Sequence, residues 1–438
     1  MPAPPNFKEL LSFYRQRLYE DVFRYWLKQV DWQHGGVLNC LSNCGERRSS
    51  DHKFVWSQGR FVWQCARAYA ADDEVVSAEM RQSFLEAARL TARFLMSHAR
   101  LPNGNCAFIL SRTGRPVLLD EREGAQKPPT PARFDFSIHA DNFAAYGVGE
   151  YARASIDREA WNWAKDLFAA VLRRHRENTA CYDFPYPPPP GCRMHGTPMG
   201  LLEYSQELAQ AAVHFGDTTF AAELQAAAAG CASEIFAHFV QSDNLIAELL
   251  DADFHPLNTL LGRYRNPGHT LECVWFLIHW ALRTDNRVAL EKAAQIAQAT
   301  CRVAWDADFG GIPQFMDQNG GEPQGFVPPE LENAIMVRKL RSLWDKKLWW
   351  PHAEALYALL LIYEQTGQAW ALEEFQRFHD YAFKTFPNPD GAIGEWIQIR
   401  NRQGEPEDAV VALPVKDPMH IARSFLHIIE TLKRLTKT

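Results

Sequence analysis

Four short segments gather residue types suited to moving protons. In NPGHTLECVWFLIHWAL (266–282), Asn266-Pro267-Gly268 reads as a turn and His269 stands at the entry of a buried helix. Glu272 follows three residues later on the same helical face. A histidine beside a carboxylate is a natural general base, because the carboxylate fixes the tautomer and steadies the imidazolium. The same spacing also describes a helix cap, with Glu272 reaching back to free backbone N–H groups. In VWSQGRFVWQCARAY (55–69), Arg60 lies among Trp56, Phe61 and Trp63 on an otherwise apolar helix. Such an arginine either holds a developing oxyanion or runs its stem outwards to solvent. In KKLWWPHAEALYALLLIYE (346–364), Trp349 or Trp350 either stacks on a sugar face or packs a helix entry, ahead of His352 and Glu354. In VKDPMHIARSFLHIIETL (415–432), His420 sits near the start of the final helix with Arg423 one turn on, and GAIGEW (391–396) adds Glu395 and Trp396. Taken alone, His420 reads more readily as structural than as a base.

Other chemistries leave no mark. There is no H-E-x-x-H zinc motif, no Walker-type phosphate loop, no G-x-G-x-x-G after a strand and no G-x-S-x-G nucleophile elbow. The nine cysteines are scattered; Cys40 and Cys44 form a C-x3-C pair without a second pair at zinc-finger spacing, so reduced thiols are expected. A net charge of −7 argues against nucleic acid and against an anionic membrane surface as partners. No stretch of about 18 apolar residues is present, and the start lacks a signal-peptide core, so a cytoplasmic location is expected.

The elements that must position these residues are helical. Apolar residues recur at three- and four-residue spacing through most of the 438 residues. The pattern predicts about twelve helices, near 8–29, 56–71, 79–98, 140–154, 157–176, 200–214, 218–240, 270–284, 287–304, 350–366, 369–385 and 418–436. They pair across short links such as Gly216-Asp217, Thr284-Asp285 and Thr366-Gly367. Longer links at 35–46, 103–119, 310–323 and 391–406 each read as a β-hairpin with a Gly-containing turn. The Gly-Gly feature near 35 returns near 310 as a weak internal repeat. Six helical hairpins imply an all-α (α/α)6 barrel, a single domain over 1–438, with the loops walling a cleft at one end. Inner helices should be apolar nearly all round, as 270–282 and 352–363 are. The proline runs KPPTP (127–131) and PYPPPP (185–190) read as rigid loops, either at the surface or at the cleft mouth.

The ordered series DWQHGGV (31–37), KFVWSQGRFVW (53–63), SIHADNFAAYG (137–147), NPGHTLE (266–272), WDADFGGI (305–312), LWWPHAEAL (348–356), Glu395-Trp396 and MHIARS (419–424) resembles the N-acylglucosamine 2-epimerase family. That family includes cellobiose and mannose 2-epimerases and mannose isomerases. The resemblance implies the same (α/α)6 barrel and an isomerase that moves a proton at the carbon beside a sugar carbonyl. It implies His269 and His420 as acid and base on opposite sides of that carbon, Arg60 on the carbonyl or enediolate oxygen, and Glu272 as the carboxylate following the first histidine. Trp350, Trp396, Trp56, Glu354, Asp141 and Arg423 are the expected substrate contacts. No cofactor or metal is required; an ATP effector and a homodimer are features of relatives that no motif here supports. Some relatives carry a third histidine in M-H-L-L-E, where this chain has TPMGLLE (197–203) with Gly200 at that place. That departure and the wording PHAEAL favour the N-acetylglucosamine branch, with mannose/glucose epimerisation or mannose–fructose isomerisation as the alternative. A glycoside hydrolase would need two carboxylates at roughly 5–9.5 Å across the cleft. A non-catalytic sugar binder would have no need of paired bases.

Overall fold

The computed structural model describes residues 5–71, 73–118, 133–183 and 187–437. KPPTP lies outside these residues and PYPPPP only partly within them. Six inner helices form a closed ring: Val55–Ala70, His139–Ser155, Gly196–His214, Pro267–Arg283, Trp349–Thr366 and His420–Leu435. Each packs on the next, and the last packs on the first. The outer helices Ala78–His98, Arg158–Arg176, Thr218–Glu234, Arg287–Ala304 and Ala369–Thr385 each follow an inner one. The sixth outer position is filled from the other end of the chain. Phe7–Lys28, α-helical with a π-helical middle at Arg17–Phe23, lies against His420–Leu435, and the Tyr14 ring meets Phe425 at 5.0 Å. The architecture is the (α/α)6 barrel expected from the periodicity.

Local signals set the helix ends. Asn266 caps Pro267–Arg283, its side chain accepting from the His269 N–H at 3.1 Å, with proline at the first helical position. Asp157, Asp217 and Asn286 cap outer helices in the same way. Inner helices are sheathed on both sides, so apolar residues cover nearly their whole circumference. The first two inner helices approach unusually closely. A Cβ on Gly59 would stand 2.1 Å from the Phe143 carbonyl oxygen, and one on Gly147 would stand 2.0 Å from that of Gly59. Only glycine at both places admits this crossing.

The long links agree in part with expectation. Ile109–Leu110 folds back on Pro116–Val117 within 103–119, Arg400 bridges Pro406 in the link 391–406, and Leu41 bridges Arg48 around the turn of 35–46, whereas 310–323 has no such bridge among the described residues. In addition, the strand entering an inner helix pairs with the strand leaving the following outer helix: Lys53–Phe54 with Ile109–Leu110, Cys192–Met194 with Leu249–Asp251, Tyr264–Arg265 with Met316–Asp317, and Lys347–Leu348 with Ile399–Arg400. A lone two-stranded hairpin is marginal in water, whereas these pairs are fastened to the helices they close. The short helices Leu260–Arg263 and Ile335–Ser342 lie within links and were not foreseen.

The repeat at the two Gly-Gly turns has a structural basis. Asp31 receives Lys53 Nζ at 3.1 Å and Arg112 Nε at 2.8 Å; Asp306 receives Lys347 Nζ at 2.9 Å and Arg402 Nε at 2.8 Å. Burial alone would raise both carboxyls, but these cationic donors hold both far below the usual range. Each clasp ties a Gly-Gly turn to the strand that leads into an inner helix.

Candidate active site

The N-termini of all six inner helices open onto one cavity of about 230 Å³. Its wall includes Trp56, His139, Gly196, His269, Trp349, Trp350 and His420, each in the first turn of its helix. The positive ends of the helix dipoles therefore converge there, a field that favours a developing anion.

Two histidines meet one indole. The Trp350 ring lies 5.5 Å from His269 and 5.5 Å from His420, centroid to centroid. Gly268 makes this approach feasible, since a Cβ there would reach Trp350 at 2.5 Å. The carboxylate that orients His269 is not Glu272, as the helical spacing implied, but Glu248, whose Oε2 stands 3.0 Å from Nδ1. Glu248 comes from the loop before the strand Leu249–Asp251. Although burial favours its neutral form, the neighbouring His269 holds its carboxyl down at about 2. Burial works against the His269 imidazolium, but Glu248 outweighs it and raises the ring above its ordinary value.

Glu272 serves the other histidine's surroundings. It accepts from Arg423 Nη2, which also donates to Glu354 Oε1 at 2.7 Å. The same Glu354 oxygen stands 2.7 Å from His420 Nδ1, and Trp275 Nε1 donates to the second Glu354 oxygen at 2.8 Å. Burial would raise Glu354; Arg423 and His420 pull it to about 2. Every polar atom of that carboxylate is thus occupied.

Arg60 faces the cavity between the rings of Trp56 and Phe143, at 4.7 and 4.3 Å from their centroids. Its Nη1 donates to Asp417 Oδ1 at 2.8 Å. Asp417 also accepts the His420 backbone N–H at 2.9 Å, so one carboxylate locates both Arg60 and the start of the last helix.

The structure brings together His269, His420, Arg60, Glu272, Arg423, Trp56 and Trp350 at the cavity. Three expected substrate contacts are corrected. Asp141 is buried away from the cavity, bound to Arg174 at 2.9 Å and accepting the Cys106 N–H at 3.1 Å. Trp396 stacks on Phe386 at 5.4 Å within the core. Glu354 lies buried behind His420, against its Nδ1. His352 is structural: its Nε2 accepts the Ile312 N–H at 3.0 Å, its Nδ1 faces the Leu348 carbonyl at 2.6 Å, and burial pushes it down to about 3. Glu395 is buried beside Trp26 Nε1.

Two residues escaped sequence reasoning. Glu248 is one; its signal was a lone carboxylate inside the apolar run LIAELL (245–250). His139 is the other, lining the cavity 5.2 Å from Trp56, with burial and then Arg60 pushing it down to about 3. It opens an inner helix just as His420 does. Gly200, at the place of the third histidine in some relatives, also lines the cavity.

Similarities to known proteins agree with this geometry. The sequence profile described as N-acylglucosamine 2-epimerase (GlcNAc 2-epimerase) matches residues 36–422. An N-acylglucosamine 2-epimerase of Bos taurus is 29% identical over 436 residues, covering 98% of this chain and 93% of that one. Among solved structures, a cellobiose 2-epimerase from Spirochaeta thermophila superposes with TM-score 0.75 at 18% identity, over 98% of both chains. A D-mannose isomerase does so with TM-score 0.70 at 17% identity, over 98% of this chain and all of that one. A profile spanning most of the chain, on a barrel whose helix N-termini gather two histidines and an arginine in one cavity, places this protein in the N-acylglucosamine 2-epimerase family.

Proposed function

We propose that this chain is a sugar 2-epimerase that interconverts N-acetylglucosamine and N-acetylmannosamine. The observation that carries the reading is the pair of imidazoles that both meet Trp350, each backed by a buried carboxylate, with Arg60 in the same cavity. In the open-chain sugar the C2 proton is acidic because the anion delocalises onto the C1 oxygen. In one direction His420 takes that proton, and the negative charge settles on the oxygen beside Arg60 and the converging helix N-termini. His269, its basicity raised by Glu248, enters as imidazolium and returns a proton to the other face of C2. The roles exchange in the reverse direction. A proton shuttle of this kind needs no electron or group carrier.

The N-acetyl assignment is supported by the wall itself. Gly200 puts no side chain where other branches have a histidine, the Tyr204 ring lies beside it, and Met194, Met199 and Phe276 line the same cavity. A small acyl group on C2 suits such apolar surroundings better than a hydroxyl does.

Proton NMR in D₂O with N-acetylmannosamine tests the reading. The expected result is deuterium at C2 together with growing N-acetylglucosamine signals. Turnover of mannose to glucose or fructose, with N-acetylmannosamine untouched, would move the substrate to free hexoses. His269→Ala and His420→Ala should each lower the exchange rate by about 10²–10⁴-fold or more with circular dichroism unchanged. Near-normal activity in both variants would sink the mechanism.

A further inference from the structure

Beside the acid–base pair lies a further histidine that this chemistry does not use. His195, at the entry of the inner helix Gly196–His214, is fully buried, and its Nδ1 stands 3.5 Å from Glu248 Oε1, at the outer limit of a hydrogen bond. Among the described residues, neither His195 nitrogen nor Glu248 Oε1 has a well-formed hydrogen-bond partner. Buried polar atoms are rarely left so, and such a group calls for a water or an ion. We propose that His195, Glu248 and His269 form a site for one transition-metal dication of the zinc class, and that filling it stops turnover.

Three ligand atoms, one from each residue, lie within 4.8 Å of one another. Tetrahedral zinc with bonds of 2.0–2.1 Å separates its ligands by about 3.3 Å; His195 Nδ1 stands 3.5 Å from one Glu248 oxygen and His269 Nδ1 3.0 Å from the other, so a turn of the carboxylate is needed to present one oxygen to both rings. Two imidazoles and a carboxylate are ligands that zinc, cobalt and copper accept and that magnesium and calcium do not favour. Glu248 and His269 face the cavity, so a water can complete the fourth position. The backbone is already set: the His195 N–H donates to the Glu248 carbonyl at 3.0 Å, next to the strand pair Cys192–Met194 and Leu249–Asp251. The matching group Glu272, Glu354 and His420 is different, because the Arg423 guanidinium is already seated between its carboxylates.

The inhibitory effect rests on the acid–base role proposed for His269. A metal on Nδ1 takes the lone pair there and leaves the ring's one proton on Nε2. The ring then has no free nitrogen with which to accept a proton from the sugar.

The test uses the full chain after chelator treatment. Co²⁺ titration should produce visible d–d absorption saturating at one ion per chain, and Zn²⁺ should bleach it. Zn²⁺ should abolish C2 exchange in parallel, and chelator should restore it. His195→Asn should retain metal-free exchange while weakening Co²⁺ and Zn²⁺ binding by about tenfold or more. Nitrogen-15 NMR of the unaltered chain asks the same without substitution: Zn²⁺ should shift Nδ1 of two histidines, one of which disappears in His269→Ala. Absence of a cobalt spectrum, or equal binding by His195→Asn, would overturn the site. Stoichiometric binding without loss of exchange would overturn the switch. A chain that binds cobalt as described but exchanges no sugar would instead refute the epimerase reading and leave the site standing.

Discussion

The two imidazoles at Trp350 are held by different kinds of carboxylate. Glu354 is shared between His420 and Arg423, whereas Glu248 stands beside His269 and His195. Glu248→Gln should therefore lower the pKa of His269, and the limb of the kcat/KM pH profile that reports this ring should move to lower pH, with turnover about 10–100-fold down. A profile unchanged in shape would deny Glu248 this role. The sign for stability follows from the same pair. The His269 pKa is raised, so its share of stability is complete below about pH 6.5 and fades as pH rises through the raised value. The Glu248 pKa is depressed, so its share is complete above about pH 4.3 and fades as pH falls towards 2. Arg423→Met leaves Glu272 and Glu354 without their cation in a buried setting, and should cost about 3–5 kcal/mol, read by chemical denaturation. At this scale the sequence showed residues whose type alone is unusual in context: histidines and an arginine at helix entries. It misassigned Glu272 because helical spacing names neighbours on one helix, while the carboxylate that His269 meets arrives from another element 21 residues earlier. Asp141 and Trp396 have the composition of cavity residues, and only their direction sends them into the core.

At the scale of elements, the cavity depends on how closely inner helices cross. Gly59 and Gly147 hold Val55–Ala70 against His139–Ser155, and that contact brings Trp56 and Arg60 over Phe143. Gly147→Ala should destabilise the protein by about 1–3 kcal/mol or more and lower kcat/KM further than the loss of folded protein explains, because Arg60 is displaced with its helix. Thermal unfolding and activity measured on the same sample separate the two effects. The twelve barrel helices were legible, since 3.6-residue periodicity survives even where both faces are apolar, whereas the short link helices Leu260–Arg263 and Ile335–Ser342 carry too few turns to show it. The strand pairings were not legible. Each strand that enters an inner helix finds its partner across an entire helical hairpin, and no turn signal between them records that pairing.

For the molecule as a whole, two buried clasps and one seam keep the ring closed. Asp31 with Lys53 and Arg112, and Asp306 with Lys347 and Arg402, recur at the two Gly-Gly turns. Lys53 and Lys347 are fully buried, so Asp31→Asn or Asp306→Asn strands a charge and should cost about 3–5 kcal/mol, seen as a lowered midpoint in urea. Both aspartates have depressed pKa values, so the clasps hold fully above about pH 4 and weaken only as pH falls below it. The seam is where Phe7–Lys28 meets His420–Leu435. Of the twelve barrel helices, His420–Leu435 is the last to leave the ribosome, and it brings His420 and Arg423 with it. A nascent chain with five hairpins formed thus carries His269, Arg60 and both clasps, yet no partner imidazole. Phe7–Lys28 precedes all five hairpins in the chain and the helix it covers follows them, so this seam is the part of the ring that can close only after every other barrel helix has been made.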